Sequence, residues 1–250
     1  MPGRPGRRAW RGGSKAPVTL PQPPSLHPAH HDRGTPMTDH AVPPAVPPAP
    51  QVSAVWPVAL LVLLSVPIAL YGLMFPFTPD ANPDFHARLM TLPWYAYAHF
   101  LGGGTALLVG GFQFSARLRR RRPGLHRWLG RGYLLACLIG GVGGLGLAVI
   151  SFGGPPTHVG FLLLGVLWLY TGARAYAAIR GGDVAAHRRW MIRSFALTFA
   201  AVTLRLELPL FIAGFGWSFE AAYLTVAWSC WVPNLIVAEW FLVERRPAVA

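Results

Sequence analysis

Residues 132–173 contain no charged side chain, and their sequence is GYLLACLIGGVGGLGLAVISFGGPPTHVGFLLLGVLWLYTGA. Gly-Gly-Pro-Pro at 153–156 divides this stretch, and it cannot continue a helix because proline lacks an N–H and its ring clashes with the preceding turn. Each flanking segment is about 20 residues long, which is the length of helix that crosses a hydrocarbon core of about 30 Å. The stretch therefore predicts two membrane-spanning helices joined by a tight turn.

The same apolar pattern continues on both sides of this pair. Backbone polar groups find no water in lipid, so spans of this composition must be helical. The pattern predicts an all-α, polytopic membrane domain over residues 51–246, with six transmembrane helices of which spans two to five form an inner four-helix bundle. The predicted spans are residues 55–77, 93–116, 129–150, 157–179, 189–213 and 219–243.

The composition excludes several other classes of protein. The 250 residues are 53% hydrophobic and only 12% charged, which is too apolar for an ordinary soluble chain. The net charge is +13, but the basic residues lie in short clusters between charge-free runs, not over a broad surface as in a nucleic-acid-binding protein. Cys137 and Cys230 both lie within apolar runs, so no disulfide framework or cysteine-based zinc site is expected.

The N-terminal segment, residues 1–50, differs from the rest. It holds 13 of the 25 prolines and six basic residues, with few bulky apolar side chains. Such a segment cannot bury enough surface to offset its chain entropy, so it is predicted to be disordered. Arg7 and Arg8 do not begin an export signal, because no apolar stretch follows until about Val52. Translation from Met37 is a further hypothesis.

The arginine distribution predicts the orientation. Twelve arginines lie in the connections after spans two and four and at the adjoining helix ends, whereas the opposite loops hold only Arg88. By the positive-inside rule, both termini are expected to face the cytoplasm. The twelve are Arg117, Arg119, Arg120, Arg121, Arg122, Arg127, Arg131, Arg174, Arg180, Arg188, Arg189 and Arg193, and Arg245 and Arg246 follow the last span.

Four histidines lie in or next to the predicted spans. His99 lies in span two and His158 opens span four, both toward the outer side, while His126 and His187 precede spans three and five on the inner side. Two imidazoles on facing helices at one depth are suited to hold a b-type haem iron. The alternatives are that His126 and His187 contact lipid phosphate, that His99 is a hydrogen-bonded neutral residue, and that His158 lies at the water interface.

Several arginines are candidate partners for haem propionates. Arg205 lies near the outer end of span five, and Arg127, Arg131, Arg188 and Arg189 lie on the inner side. The alternatives are an ion pair of Arg205 with an acidic residue at the same level and lipid-facing positions for the inner arginines. Glycines along the histidine faces would leave room for a macrocycle, or they would let the helices pack closely.

Three segments carry a resemblance to a known family. They are AHFLGGG (98–104), HRWLGRGY (126–133) and HRRWMIRSFALTFAAVTLRL (187–206), and they resemble bacterial multi-pass membrane proteins grouped as domain of unknown function 2306. The histidine layout is also similar to that of di-haem transmembrane cytochromes b of the ascorbate- or ferric-reductase kind. That second resemblance implies one or two haem b groups, held by His99 with His158 and by His126 with His187. In those cytochromes the ligands lie well inside the helices, whereas His126 and His187 are predicted at helix ends.

Three functional hypotheses follow. The first is a haem b protein that moves electrons in or across the membrane, as an electron carrier or an oxidoreductase, with a quinone or another redox partner. The second is a haem-free permease or small-molecule-binding membrane protein in which His99 and Arg205 line a polar cavity. The third is a scaffold subunit that binds partners through its loops. The sequence contains no nucleophile elbow, paired carboxylates or HExxH motif, so hydrolytic catalysis is not expected. It also contains no dinucleotide fingerprint, so a redox protein of this sequence would take electrons from a quinone, a small reductant or a partner.

Overall fold

The computed structural model describes residues 55–78 and 83–244, and within these ranges the chain forms helices and no strand. The predicted disordered segment at 1–50, the alternative start at Met37, and Arg245 and Arg246 lie outside the described residues. The α-helices are α1 Val55–Met74, α2 Pro83–Leu89, α3 Pro93–Gly110, α4 Ala116–Arg121, α5 Pro123–Ala148, α6 Pro155–Arg180, α7 Val184–Thr198, α8 Ala200–Pro209, α9 Phe219–Ser229 and α10 Val232–Glu244. Short 3₁₀ turns at Phe75–Phe77 and Gly111–Phe114 extend α1 and α3, and a π-turn at Leu210–Gly214 follows α8.

Five helical segments in the described residues are long and apolar enough to cross a membrane. They are Pro57–Phe77, Pro123–Ala148, Pro155–Arg180, Val184–Gly214 and Phe219–Trp240. This confirms the prediction of an all-helical protein with several membrane spans. Helix α3 corresponds to the predicted second span and is not among the five, because four glycines and several polar or aromatic side chains lower the mean hydropathy of its 18 residues.

The helices form a bundle with two distinct ends. Helix α3 and helix α6 finish, and α5 and α7 begin, at the end that carries the arginine clusters of 117–131 and 180–193, which we call the arginine-rich end. The segments 75–78 and 83–92 and the connections 149–154 and 210–218 lie at the opposite end. Gly153 and Gly154 have φ angles of 82° and 74°, and α6 begins directly afterwards at Pro155, which confirms the predicted tight turn.

Two helices begin earlier than predicted. Helix α5 starts at Pro123, which suits the first helical position because its missing N–H would have no partner there. Helix α7 starts at Val184, where the Asp183 side chain accepts a hydrogen bond from the Ala186 N–H at 2.8 Å. His126 and His187 therefore lie within the first turns of α5 and α7 and not in the loops before them.

Glycines bring α3 into backbone contact with α5. A Cβ atom added to Gly102 would lie 2.5 Å from the Gly140 nitrogen and 2.8 Å from its Cα, so neither position has room for a side chain facing the other helix. On another face, a Cβ at Gly104 would lie 2.9 Å from the Leu73 side chain of α1. Helix α3 thus lies between α1 and α5, held by close small-residue packing.

The opposite end carries a short helix that the sequence analysis did not predict. Helix α2 is fixed to the α5–α6 connection, since Arg88 Nε donates to the Ile150 carbonyl at 2.6 Å and the guanidinium lies 4.5 Å from the Phe152 ring centroid. Phe85 of α2 stacks on Phe152 and meets Tyr223 of α9 edge-on. These contacts place α2 over the end of the bundle.

Candidate functional site

A cavity of about 770 Å³ lies between α1, α3, α5, α6, α8 and α9, in the half of the bundle nearer the opposite end. Its volume lies in the range of about 300–1,000 Å³ that is typical of small-molecule sites. Phe85 and Leu89 of α2 also line it. Most of the wall is apolar, and the polar or ionisable lining residues are Tyr71, His99, Ser151, Trp168, Thr198, Arg205, Tyr223 and Cys230.

A hydrogen bond to the backbone of α5 fixes the orientation of the His99 ring. Its Nδ1 lies 3.0 Å from the Gly140 carbonyl oxygen, which can only accept a hydrogen bond, so Nδ1 carries the hydrogen. A Cβ at Gly144 would lie 2.9 Å from the same nitrogen, so glycine at 144 makes room for the ring. Nε2 is consequently the nitrogen of His99 that is available to a molecule in the cavity.

Arg205 supplies a positive charge to the same cavity. Its Nη1 donates to the Ala201 carbonyl at 3.2 Å, and its guanidinium carbon lies 5.0 Å from the centroid of the Tyr71 ring. The Arg205 charge is close enough to His99 for the two groups to interact electrostatically. Among the described residues that line the cavity, the one with a permanent charge is Arg205, and none is an aspartate or glutamate.

The floor of the cavity, on its arginine-rich side, is a hydrogen-bonded network. Trp168 Nε1 donates to Thr198 Oγ1 at 2.8 Å, and the Tyr133 hydroxyl lies 2.8 Å from Thr198 Oγ1 and 3.0 Å from Ser194 Oγ. The Thr198 hydroxyl donates in turn to the Ser194 carbonyl at 3.0 Å. Since these groups satisfy one another, the network fixes α5, α6 and α7 together and does not present free donors to a ligand.

The predicted outer histidine pair is not brought together. His158 Nε2 lies 3.0 Å from the Ser151 carbonyl oxygen, so its ring turns back onto the α5–α6 connection. Gly165, seven residues later on α6, packs against Leu145, at the level where His99 meets Gly144. Seven residues correspond to about 10 Å along a helix axis. His158 is therefore displaced toward the opposite end of the bundle relative to His99, and it is not among the described residues that line the cavity.

The inner pair, His126 and His187, is brought together but away from the cavity. The Tyr133–Ser194 hydrogen bond sets the register of α5 and α7, which run in the same direction, and each histidine precedes its bonded residue by seven positions. Seven residues are close to two helical turns, so each histidine lies on the same face of its helix as the hydrogen-bonded residue. His126 and His187 also interact electrostatically. His187 Nδ1 donates to the Ala175 carbonyl at 2.8 Å.

The inner propionate candidates are exposed. Arg127 Nε donates to the Pro123 carbonyl of its own helix at 3.3 Å, and the Arg131 guanidinium lies 5.1 Å from the Trp128 ring centroid. Arg188 and Arg189 are also exposed, near the start of α7. Among the described residues of the cavity wall, Arg205 is the one propionate candidate.

Glu239 and Asn234, in α10, hold the last helix in place. Arg193 forms a two-point ion pair with Glu239, with Nε–Oε1 and Nη2–Oε2 distances of 2.5 and 2.7 Å. The Asn234 amide donates to Thr203 Oγ1 and to the Cys230 carbonyl, both at 2.9 Å. The break between α9 and α10 at Cys230–Trp231 agrees with the kink expected from Pro233. Both side chains therefore have structural partners, and neither is among the described residues that line the cavity.

Tyr71 and Tyr223 of the cavity wall were not recognised in the sequence. They come from the first and last membrane-spanning segments, and no sequence motif connects these segments to His99. An aromatic side chain in a span is as consistent with lipid contact as with a cavity wall, so only the packing of the helices distinguishes the two.

A comparison with protein families gives one match. The model of the family described as DUF2306, a predicted membrane protein, matches residues 96–242, from α3 to α10, and so includes His99 and Arg205. No curated protein and no solved structure matches the chain. Because the match covers more than half of the chain, this protein belongs to the DUF2306 family of predicted membrane proteins.

Proposed function

We propose that this membrane protein binds a small amphipathic molecule with an acidic group in the cavity lined by His99 and Arg205. The observation that carries the proposal is the presence of both side chains in one largely apolar cavity whose described lining holds no acidic residue. This is the haem-free alternative of the sequence analysis, with the class of ligand now specified. The protein would act as a permease or as a binding protein for such a molecule.

The chemistry of the wall selects the ligand class. Apolar side chains from eight helices would cover a hydrocarbon or aromatic body, and burial of that surface would supply most of the affinity. A carboxylate in such a site needs a cationic hydrogen-bond donor, which the Arg205 guanidinium provides. His99 Nε2 can accept a hydrogen bond from a ligand O–H group. An ammonium ligand would be repelled by Arg205 and would find no carboxylate among the described lining residues.

The ligand class can be tested with three probes of equal chain length: octanoate, 1-octanol and octylamine. Binding to the protein in lipid nanodiscs would be measured by calorimetry, with ligand-dependent thermal shifts as a second readout. We expect octanoate to bind most tightly and Arg205→Gln to weaken it by about tenfold or more, as loss of a hydrogen bond to a charged group implies. Arg205→Lys should retain part of the preference for the carboxylate.

The control is Arg174→Gln, which removes an equal charge from an arginine bonded to Tyr170 and absent from the described cavity wall. It should leave octanoate binding unchanged. Equal affinity for octanoate and octylamine, or an undiminished octanoate affinity in Arg205→Gln, would contradict the proposed ligand class.

The proposed topology has six spans, with α3 as the second. The length over which α3 and its 3₁₀ extension pack alongside α5 supports α3 as a membrane span. Tyr95 lies beside Gly146, and Gln113 lies 3.6 Å from the position of a Cβ on Gly130. The 16 residues between these contacts correspond to about 24 Å of helix, most of a hydrocarbon core of about 30 Å. In this arrangement α3, α5, α6 and α7–α8 form the inner four-helix bundle.

The arginine distribution supports a cytoplasmic position for the arginine-rich end and for both termini, in a bacterial inner membrane. Single cysteines at Arg180 and Trp217, which are both exposed at different ends of the bundle, would test this orientation. The native Cys137 and Cys230 are buried and should not react. A membrane-impermeant maleimide added to intact cells should label the cysteine at 217 and not that at 180, and the reverse pattern would invert the topology.

A second candidate function, haem b binding with electron transfer to a quinone or another redox partner, is favoured by one observation. The Nδ1–H of His99 is fixed on a backbone carbonyl, as is common for imidazoles that bind metals, and Nε2 is then suited to be an axial ligand. Arg205 would lie near a propionate. The group would supply one-electron chemistry. The positions of His158, His126 and His187 do not support two haems in this cavity, so a single haem is the form of this proposal.

Optical spectroscopy distinguishes the two candidates. Protein purified from haem-supplemented cells should show a Soret band that shifts on dithionite reduction if haem is bound, and His99→Ala should lose this band. A colourless preparation that binds octanoate would leave the first proposal standing and reject the second.

A further inference from the structure

Gln113 marks a second polar site, at the arginine-rich end where α3 finishes between α5 and α7. The residue lies in the 3₁₀ turn after α3 and is only 8% exposed. Its Nε2 is buried and has no hydrogen-bond partner among the described residues. A buried amide donor without an acceptor costs about 1–3 kcal/mol, and an acceptor supplied by a ligand would offset this cost.

His126 provides a second buried atom of the same kind. Its Nδ1 is also buried without a hydrogen-bond partner in the described part of the chain. Gly130, one turn further along the same face of α5, lies against Gln113, since a Cβ there would be 3.6 Å from Gln113 Oε1. The two unpartnered atoms therefore belong to one region of the α3–α5 contact.

His187 completes the polar surface from α7. The Tyr133–Ser194 hydrogen bond places it at the same level as His126, and its Nδ1–H donates to the Ala175 carbonyl. Nε2 is therefore the nitrogen of His187 left for other interactions. Gln113, His126 and His187 thus all lie at this end of the bundle.

The surrounding charge is positive. Arg119 Nη1 donates to the Gln113 carbonyl at 3.1 Å, and the Arg119 charge acts on His126. Partial burial, followed by the nearby charges of Arg188 and Arg120, lowers the pKa of the Arg119 guanidinium. Among acidic groups, Asp183 is the nearest in sequence to His187, and its carboxylate caps α7. An electropositive region with an unpartnered amide donor favours an anion over a metal cation.

We propose that Gln113, Arg119, His126 and His187 form a binding site for a phosphate group. The tetrahedral oxygens of phosphate can accept hydrogen bonds from the Gln113 amide, the Arg119 guanidinium and a ring N–H of His126 at the same time. The site lies at the level where lipid headgroups meet the bundle, so the phosphate belongs either to an anionic lipid or to a soluble phosphorylated compound.

Two experimental arms separate these sources. In the first, detergent-purified protein without phospholipid receives sodium phosphate, and its melting temperature is compared with that in sodium chloride of equal ionic strength. In the second, melting is measured in nanodiscs of phosphatidylglycerol and of phosphatidylcholine. Stabilisation in both arms indicates a site open to soluble phosphate, and stabilisation by phosphatidylglycerol alone indicates a lipid headgroup site.

The variant Gln113→Met is the decisive one, because it removes the buried donor and keeps the side-chain volume. Without phosphate it should be at least as stable as the original chain. It should also bind phosphate, or phosphatidylglycerol, about tenfold more weakly, as expected for a lost hydrogen bond to a charged group. His126→Gln, a second test, should weaken binding in the same way.

The matched control is Arg117→Gln, which removes one positive charge from an exposed position on α4. It should retain the stabilisation of the original chain. The proposal is overturned if neither arm stabilises the protein, if Gln113→Met keeps the full stabilisation, or if Zn²⁺ stabilises the protein through His126 and His187 while phosphate does not.

Discussion

The same helices form a closed half and a cavity half within one bundle. In the closed half, toward the arginine-rich end, Tyr133, Ser194, Thr198 and Trp168 satisfy one another's hydrogen bonds, and aromatic side chains fill the remaining space. In the cavity half, the wall is apolar except at a few positions such as His99, and Trp168 and Thr198 form the floor of the cavity. The comparison teaches that internal pairing of polar groups stabilises the first half, whereas the second leaves polar atoms for a ligand.

Two adjacent glycines of α3 differ in how closely other atoms pack around them. Gly102 touches the α5 backbone, whereas a Cβ at Gly103 would meet nothing nearer than Trp168 Cη2 at 4.0 Å. The largest effect is expected for Gly102→Ala. The added methyl would push α3 from α5 and cost about 1–3 kcal/mol, which exceeds the gain in helix propensity of up to about 1 kcal/mol. Thermal unfolding in detergent, with size-exclusion profiles, would measure the loss.

Gly132→Ala is the control for this prediction. It lies on α5 with open space around the new Cβ, so it should match or exceed the stability of the original chain. Equal melting temperatures for the Gly102 and Gly132 variants would contradict the close backbone contact between α3 and α5.

A smaller loss is expected for Tyr133→Phe in the closed half. The change removes the hydroxyl that joins Ser194 and Thr198 of α7 to α5, and it leaves the Ser194 hydroxyl without this partner. The expected cost is about 1–3 kcal/mol, at the lower end because Thr198 keeps its bonds to Trp168 and to the Ser194 carbonyl. Thermal unfolding of the purified variant would measure it.

Tyr176→Phe removes the same atom from an exposed tyrosine of α6 and should stay within about 0.5 kcal/mol of the original stability. If both tyrosine variants were equally stable, the hydroxyl network would not hold the closed half together.

The sequence predicted the spans because their signals are local. The uncharged runs and the Gly-Gly-Pro-Pro turn define α5 and α6 without any knowledge of packing. The starts of α5 and α7 were placed too late, because hydropathy marks only the apolar part of a helix. The first turn of each of these helices is polar. The residues that mark the true starts are Pro123 for α5 and the capping Asp183 for α7.

The relation between His99 and His158 could not be predicted from the sequence. Topology assigns both to one side of the membrane, but depth also depends on where each helix begins relative to its neighbours. His99 lies six residues after the start of α3, whereas His158 lies three residues after the start of α6. The contact of Gly143 and Gly144 with His99 sets the relative depth of α3 and α5, and such long-range contacts leave no signal in a single sequence.

The smallest effect is expected for Gly103→Ala, in the cavity half. Its methyl group would enter space beside the cavity, so the variant should gain up to about 1 kcal/mol from the higher helix propensity of alanine. Octanoate should still bind, because one methyl group occupies little of a cavity of about 770 Å³. Thermal unfolding and calorimetry on the same preparation would measure both properties. A loss of stability as large as that of Gly102→Ala would mean that packed atoms lie against Gly103, and the wall of α3 would then belong to the closed half.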